Sequence, residues 1–248
     1  MKKNIKVALV TGGGTGIGFA IAKKLYSSKY TLVLTGRRLN KLIEAKKKLG
    51  SKCHIIENDI SDLGSIPTMV NEIEKKIGKI EILINNAGQH LRKVALETSD
   101  DEWKKVVETN LNSVFCLSRE CAKKMTKRKR GNIVMVGSVT TVMGLPDVAA
   151  YSTTKTALMG LTRSLAIELG KFSINVNCVC PGFIQTDIFR RVRKKDPSRF
   201  KKILSRTPLK RFGKVEDVSD VVGFLCSSEA RFITGSCIMV DGGFHSSF

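Results

Sequence analysis

Seven short apolar runs alternate with segments whose apolar residues recur at helical spacing, and that alternation leaves few folds open. The runs cover residues 5–11, 31–36, 53–57, 80–85, 132–138, 174–180 and 236–240, with helical patterns filling most of the intervals. Such an order predicts parallel strands joined by right-handed crossovers, in a doubly wound α/β sheet of about seven strands covered by helices on both faces. Ligand loops of such a sheet lie outside the strand C-terminal ends. Gly12, Gly36, Asp59, Asn86, Ser138 and Pro181 each fall at the end of a run or just after it, so all six are expected along one edge. At 248 residues the chain can bury one sizeable core, and no repeat, low-complexity tract or linker divides it. A single domain over 1–248 is expected.

The first run, IKVALVT, leads into Gly12-Gly13-Gly14-Thr15-Gly16-Ile17-Gly18 and then a helical pattern. A strand, a glycine turn and a helix in that order let the backbone approach a phosphate, which the helix N-terminus meets with free amides. The spacing is G-x-x-x-G-x-G, by Gly12, Gly16 and Gly18, and not the commoner G-x-G-x-x-G. Glycines also mark plain turns, so this feature alone does not establish a nucleotide site.

Tyr151 and Lys155 stand one helical turn apart, so hydroxyl and ammonium project from one face. A phenol keeps its proton to pH ~10. Beside a fixed cation its pKa is expected to fall, making Tyr151 a proton donor and acceptor near neutrality. Ser138 can hydrogen-bond the oxygen of a carbonyl or alcohol where charge develops.

Together these features resemble the classical short-chain dehydrogenase/reductase family over nearly the whole chain. The resemblance rests on Thr11 to Gly18, Asp59, Asn85-Asn86-Ala87-Gly88, Asn110, Ser138, Tyr151-Ser152-Thr153-Thr154-Lys155, Pro181-Gly182 and Val240-Asp241-Gly242-Gly243. It implies a Rossmann-type fold and an NAD(P)-dependent oxidoreductase acting on CH–OH groups. Ser138, Tyr151 and Lys155 would be catalytic, and Asn110 would complete a tetrad by holding a water that relays protons to Lys155. Gly12, Gly14, Thr15, Gly16, Ile17, Gly18, Asp59, Ile60, Asn86, Ala87, Gly88, Pro181, Gly182, Ile184 and Thr186 would line the cofactor. Asp59 would reach the adenine, and Tyr151 and Lys155 would contact the cofactor as well. Family members are usually tetramers, so a homotetramer is expected.

The end of the second run bears on which cofactor is used. NAD-preferring members place an acidic residue there for the ribose 2′-hydroxyl. Here Gly36 stands in that place, followed by Arg37 and Arg38. A guanidinium can hold a 2′-phosphate that a carboxylate would repel, so NADP(H) is expected over NAD(H). The two arginines could instead simply solvate a loop.

The seven cysteines are odd in number and contain no C-x-x-C pair, and most lie in apolar patterns. A reduced cytoplasmic protein is expected, without a metal site. Cys178 and Cys180 share one strand face. His90 either borders the substrate or is a solvent-exposed histidine. No run of 18 apolar residues is present, and Met1-Lys2-Lys3-Asn4 runs straight into the first strand, so neither a membrane span nor a signal peptide is expected.

The chain carries 43 Lys and Arg against 22 Asp and Glu, a net charge of +21. Charge of that size attracts nucleic acid, anionic membrane or acidic protein, although a compositional bias of the genome is the plainer reading. One cluster comprises Lys123, Lys124, Lys127, Arg128, Lys129 and Arg130. Another runs from Arg190 to Lys214, where Asp196 is the one acidic residue. The second lies in the segment 183–214, where family members carry a mobile substrate lid. A positive lid suits an anionic substrate or an acyl group on acidic acyl carrier protein.

Glu108 to Phe115, Pro181 to Asp187 and Phe232 to Gly235 are similar to 3-oxoacyl-[acyl-carrier-protein] reductases of fatty acid biosynthesis, whereas Gln89-His90-Leu91-Arg92 departs from them. Arg206-Thr207-Pro208 and Phe212-Gly213 are similar to sugar and polyol dehydrogenases such as gluconate 5-dehydrogenase. A 3-oxoacyl carrier-protein reductase is the first reading and a polyol dehydrogenase the second. A non-catalytic nucleic-acid-binding protein on the same fold stands outside both. An intact Ser138, Tyr151, Lys155 and Asn110 argues against that third reading, as does the lack of an interleaved aromatic and basic stripe.

Overall fold

The computed structural model describes residues 5–28 and 30–247. Its elements follow the expected alternation. They are β1 (Lys6–Thr11), α1 (Gly16–Ser27), β2 (Thr31–Gly36), α2 (Leu39–Leu49), β3 (Cys53–Glu57), α3 (Ser65–Lys76), β4 (Lys79–Asn85), α4 (Asp100–Val107) and α5 (Ser113–Arg128). The second half continues with β5 (Gly131–Val136), α6 (Ala149–Gly170), β6 (Ile174–Pro181), α7 (Asp187–Lys195), α8 (Pro197–Arg206), α9 (Val215–Leu225) and β7 (Cys237–Val240).

The strands form one parallel sheet in the order β3-β2-β1-β4-β5-β6-β7. The chain winds outward from β1 to β3, then returns to place β4 on the other side of β1. The loops after β1 and β4 therefore diverge, opening a crevice at the switch point.

Alternate residues of each strand feed opposite faces. From β1, Val7 and Leu9 pack under Val70 and Ile73 of α3, Leu117 and Cys121 of α5, and Leu158 and Leu165 of α6. Ala8 and Val10 pack under Ile21 and Leu25 of α1, Leu42 of α2, and Val218 and Val222 of α9. Burial on both sides is why the strands read as continuous apolar runs. The run at 132–138 overreaches: Gly137 still bonds the Val179 carbonyl (2.7 Å), but the Ser138 hydroxyl turns to accept from Thr140 N–H (3.2 Å) and caps a short 3₁₀ turn.

Two departures from regular structure shape the site. Between α4 and α5 the helix widens into a π turn over Glu108–Asn112, which displaces Asn110 relative to a regular helix. Between β6 and α9 the chain makes an excursion that carries α7 and α8. Gln185 N–H bonds the Gly213 carbonyl (2.8 Å) and Gly213 N–H the Phe183 carbonyl (3.0 Å), closing its base. Phe189, Phe200, Ile203 and Phe212 give it a core of its own, with Phe189 edge-on to Phe200 at 4.8 Å. The expected lid at 183–214 thus has an ordered body.

Candidate active site

Gly12, Gly36, Asp59, Asn86, Ser138 and Pro181 all lie at the C-terminal edge of the sheet, in or just after their strands. The turn after β1 holds its shape through close backbone approach. Gly12 has φ +63°, and a Cβ at Gly18 would overlap the Gly12 carbonyl and the Asn86 side chain. Asn86 Nδ2 donates to the Thr11 carbonyl (2.9 Å), while Thr11 Oγ1 accepts from both Asn86 N–H and Ala87 N–H (2.9 Å each). Thr11 thereby ties the loops after β1 and β4 together. Sequence reasoning missed its role, although a threonine closing an apolar strand ahead of a glycine turn was the available signal.

One groove along this edge is lined by Gly12, Gly14, Thr15, Gly36, Arg37, Arg38, Lys41, Asp59, Ile60, Ala87 and Gly88. Gly16, Ile17, Gly18, Asn86 and Thr186 line its continuation past the start of α1. Arg38 donates to Thr15 Oγ1 (3.2 Å). Arg37 meets Asp59 only loosely, at 3.9 Å and 67% exposed, an ion pair of about 0–1 kcal/mol that a phosphate can displace. Burial pushes the Asp59 carboxyl up, but hydrogen bonds from the Ser61 hydroxyl and N–H, with Arg37, bring it below its usual range. Lys41 adds a third cation that sequence reasoning did not single out. A glycine cradle whose positions exclude a Cβ, beside three cations and an α1 N-terminus with no acidic residue in its first turn, fits a dinucleotide phosphate.

Next to it lies a cleft of ≈ 470 Å³, within the range of small-molecule sites. Ser138, Tyr151, Lys155, Asn86, Gly88, Pro181, Gly182, Ile184 and Thr186 all line it. Lys155 is 5% exposed and donates to the Val136 carbonyl (2.7 Å), with Nζ 5.8 Å from the Tyr151 ring centroid. Burial pulls its ammonium down to about 8. Tyr151 corrects the sequence expectation. Burial pushes its phenol above the ordinary value; the Ser138 hydroxyl beside it lowers the pKa and Cys180 adds a further rise, while Lys155 is not among the causes. The phenol is therefore protonated at neutral pH, and the ammonium is spent on a backbone carbonyl.

Asn110 is fully buried. Its Oδ1 accepts from Gln89 N–H (2.7 Å), and its Nδ2 donates to the Gln89 carbonyl (2.9 Å) and Thr154 Oγ1 (3.2 Å). Gly88 is pinned between Asn110 and Lys155: a Cβ there would sit 3.3 Å from Asn110 Oδ1 and 3.6 Å from Lys155 Nζ. His90 borders the cleft, with its ring packed 4.6 Å from that of Tyr151 and partly covered there, while the residue as a whole keeps a solvent-exposed face. Cys178 and Cys180 share a face, as the pattern implied, with sulfurs 3.7 Å apart.

A convergent hydroxyl pair over a buried cation, beside a phosphate-fitting groove, can deliver a proton to a carbonyl oxygen. Known proteins agree with that chemistry. The family described as enoyl-(acyl carrier protein) reductase matches residues 12–245. The 3-oxoacyl-[acyl-carrier-protein] reductase of Salmonella typhimurium is 37% identical over 240 residues, covering 97% of each chain. Its namesake from Aquifex aeolicus is 40% identical over 242 residues, 96% of each. A solved putative NAD(P)-dependent gluconate 5-dehydrogenase from Beutenbergia cavernae, with bound NADP, superposes at a TM-score of 0.92 with 32% identity, covering 98% of this chain and 97% of that one.

Proposed function

The chain belongs to the short-chain dehydrogenase/reductase family and is an NAD(P)-dependent oxidoreductase acting on CH–OH groups, and from that premise we propose that it reduces 3-oxoacyl thioesters on acyl carrier protein, with NADPH, to 3-hydroxyacyl thioesters. The observation that carries the reading is Tyr151 lining one cleft with Ser138, its ring 5.8 Å from the ammonium of buried Lys155. Relatives named for this reaction, at 37% and 40% identity over nearly the whole chain, supply the substrate class.

When bound, the dinucleotide supplies the hydride that reduces the carbonyl carbon. Ser138 and Tyr151 each donate a hydrogen bond to the carbonyl oxygen, which polarises the bond and orients it. Tyr151 then passes its proton to that oxygen, and for Lys155 to stabilise the phenolate left behind its ammonium must turn from the Val136 carbonyl towards the phenol once substrate is bound. Asn110 positions Gly88 and Gln89 against Lys155. Its two amide hydrogens are taken by the Gln89 carbonyl and Thr154 Oγ1, so Asn110 can hold a relay water only as an acceptor.

NADPH preference rests on Arg37, Arg38 and Lys41 in the groove and on the absence of an acidic side chain at the end of β2. Asp59, Ile60, Ile184 and Thr186 complete the cofactor walls. We place the enzyme in the cytoplasm as a homotetramer whose thiols stay reduced. No helix among the described residues is long and apolar enough to cross a membrane.

Acetoacetyl thioester with NADPH, followed at the nicotinamide absorbance, tests the proposal: robust consumption is expected, and none with a crotonyl thioester, which offers a double bond and no ketone. Oxidation of gluconate in preference to acetoacetyl reduction establishes the second reading, which the Beutenbergia cavernae structure favours.

A further inference from the structure

Arg199 is the least satisfied charged group around the cleft. It sits in the first turn of α8, is half-buried, and lines the same cavity as Tyr151 and Ser138. Only its backbone is engaged, with N–H donating to Asp196 Oδ1 at 3.1 Å. Among the described residues its guanidinium makes no hydrogen bond or ion pair, although five donors in a fixed fork suit a carboxylate well. Burial, with the like charge of Arg92, pulls it below its usual range, while Asp196 and Asp147 oppose that.

The charged groups around it do not meet its need: Arg92 and Lys155, which also line the cavity, are cations, and the nearby carboxylates lie outside its lining. Asp147 is 3.5 Å from Arg92 and partly neutralises it. Asp196 caps α8 through Oδ1, which accepts from Arg199 N–H and the Ser198 hydroxyl, and it reaches the guanidinium only through its charge, without a hydrogen bond or ion pair. His90 is kept neutral, by burial first and then by Arg199 and Arg92, so it adds hydrogen-bonding capacity without charge. The rest of that part of the wall is apolar: Phe183, Phe189, Val192 and Phe200. An apolar wall containing one unpaired guanidinium matches a short chain of methylenes that ends in an anion.

We infer that Arg199, assisted by Arg92, forms an anion subsite in the substrate cleft, and that the preferred substrate is a ketone whose acyl chain ends in a carboxylate. The inference rests on the carbonyl reduction proposed above and narrows its substrate class. The lid then supplies specificity through one side chain that can pair only when such a substrate is present.

Two N-acetylcysteamine thioesters of equal length isolate the effect: 3-oxoadipyl, which carries a terminal carboxylate, and 3-oxohexanoyl, which does not. The wild type should favour the first in kcat/KM by about tenfold to a hundredfold, the range of a charge-assisted pair. Arg199→Gln should bring that ratio to about one and Arg199→Lys should restore part of it, with NADPH fluorescence showing that each variant is folded. A wild-type ratio of one or less overturns the subsite, as does a folded Arg199→Gln with an unchanged ratio. Glutarate binding to the NADPH complex, by calorimetry, separates this failure from that of the proposed reaction. If neither thioester is reduced but glutarate binds and Arg199→Gln abolishes it, the reaction is wrong and the subsite stands. If glutarate does not bind and neither thioester reacts, both are overturned.

Discussion

Tyr151 shows how a residue's chemistry is decided by packing and not by its sequence neighbours. Four residues from Lys155, it reads as a phenol made acidic by a cation, yet burial raises it and the ammonium faces Val136. A phenol that stays protonated suits the proposed reduction, where it must arrive carrying its proton. Tyr151→Phe removes only the hydroxyl. We expect kcat to drop ~10²- to 10⁴-fold, with NADPH fluorescence titration nearly unchanged, and a variant keeping half of wild-type kcat contradicts the assignment. The pH dependence follows from the directions of the shifts. Reduction consumes a proton and needs both Tyr151 protonated and Lys155 cationic. Lys155 loses its charge as pH rises through about 8, well before the raised Tyr151 titrates. Reductive kcat/KM should be flat below about pH 7 and fall across pH 8; a rate that climbs through this range refutes the assignment of proton donor.

At the scale of elements, much was legible in sequence because parallel strands buried on both faces leave uninterrupted apolar runs, and β1, β2 and β3 match theirs to within a residue. The glycine turn announced the β1–α1 junction because a left-handed φ such as that at Gly12 favours glycine and the backbone approach at Gly18 leaves no room for a Cβ. The π turn was not legible, since Glu108 to Asn112 carries no breaker and differs from a helix only in which carbonyl each amide finds. Nor was the approach of Arg199 to His90, which depends on how α8 folds back over the cleft. The excursion carrying α7 and α8 has its basic residues mostly outside its aromatic core, with Lys194, Lys195, Lys201 and Lys202 exposed. If they steer an acidic carrier, reversing all four to Glu should slow carrier-bound substrate while sparing small neutral ketones. Steering is screened over ~8 Å at physiological salt, so wild-type kcat/KM on the carrier substrate should fall with added salt and the mutant's should fall much less. Equal salt responses assign these lysines to composition alone.

Over the whole molecule, the crevice at the switch point couples cofactor binding to global stability, because loops after β1, β2, β3 and β4 all contribute to one groove. Any ligand that binds only the folded chain stabilises it by mass action, about 2.7 kcal/mol at a hundred times its Kd. For a chain of this size each kcal/mol raises Tm by about 2–4 °C, so NADPH at that level should add roughly 5–10 °C. NADH presents a hydroxyl where NADPH presents a phosphate, and on the proposed preference Arg37, Arg38 and Lys41 would reward only the phosphate. At equal concentration its shift should therefore be several degrees smaller. Replacing Arg37 and Arg38 together by alanine leaves the glycine cradle intact and removes two of the three cations, so the two cofactors should then shift Tm nearly alike. Should the wild type already respond equally to both, the arginines only solvate the loop after β2, and the net charge of +21 carries no information about the cofactor.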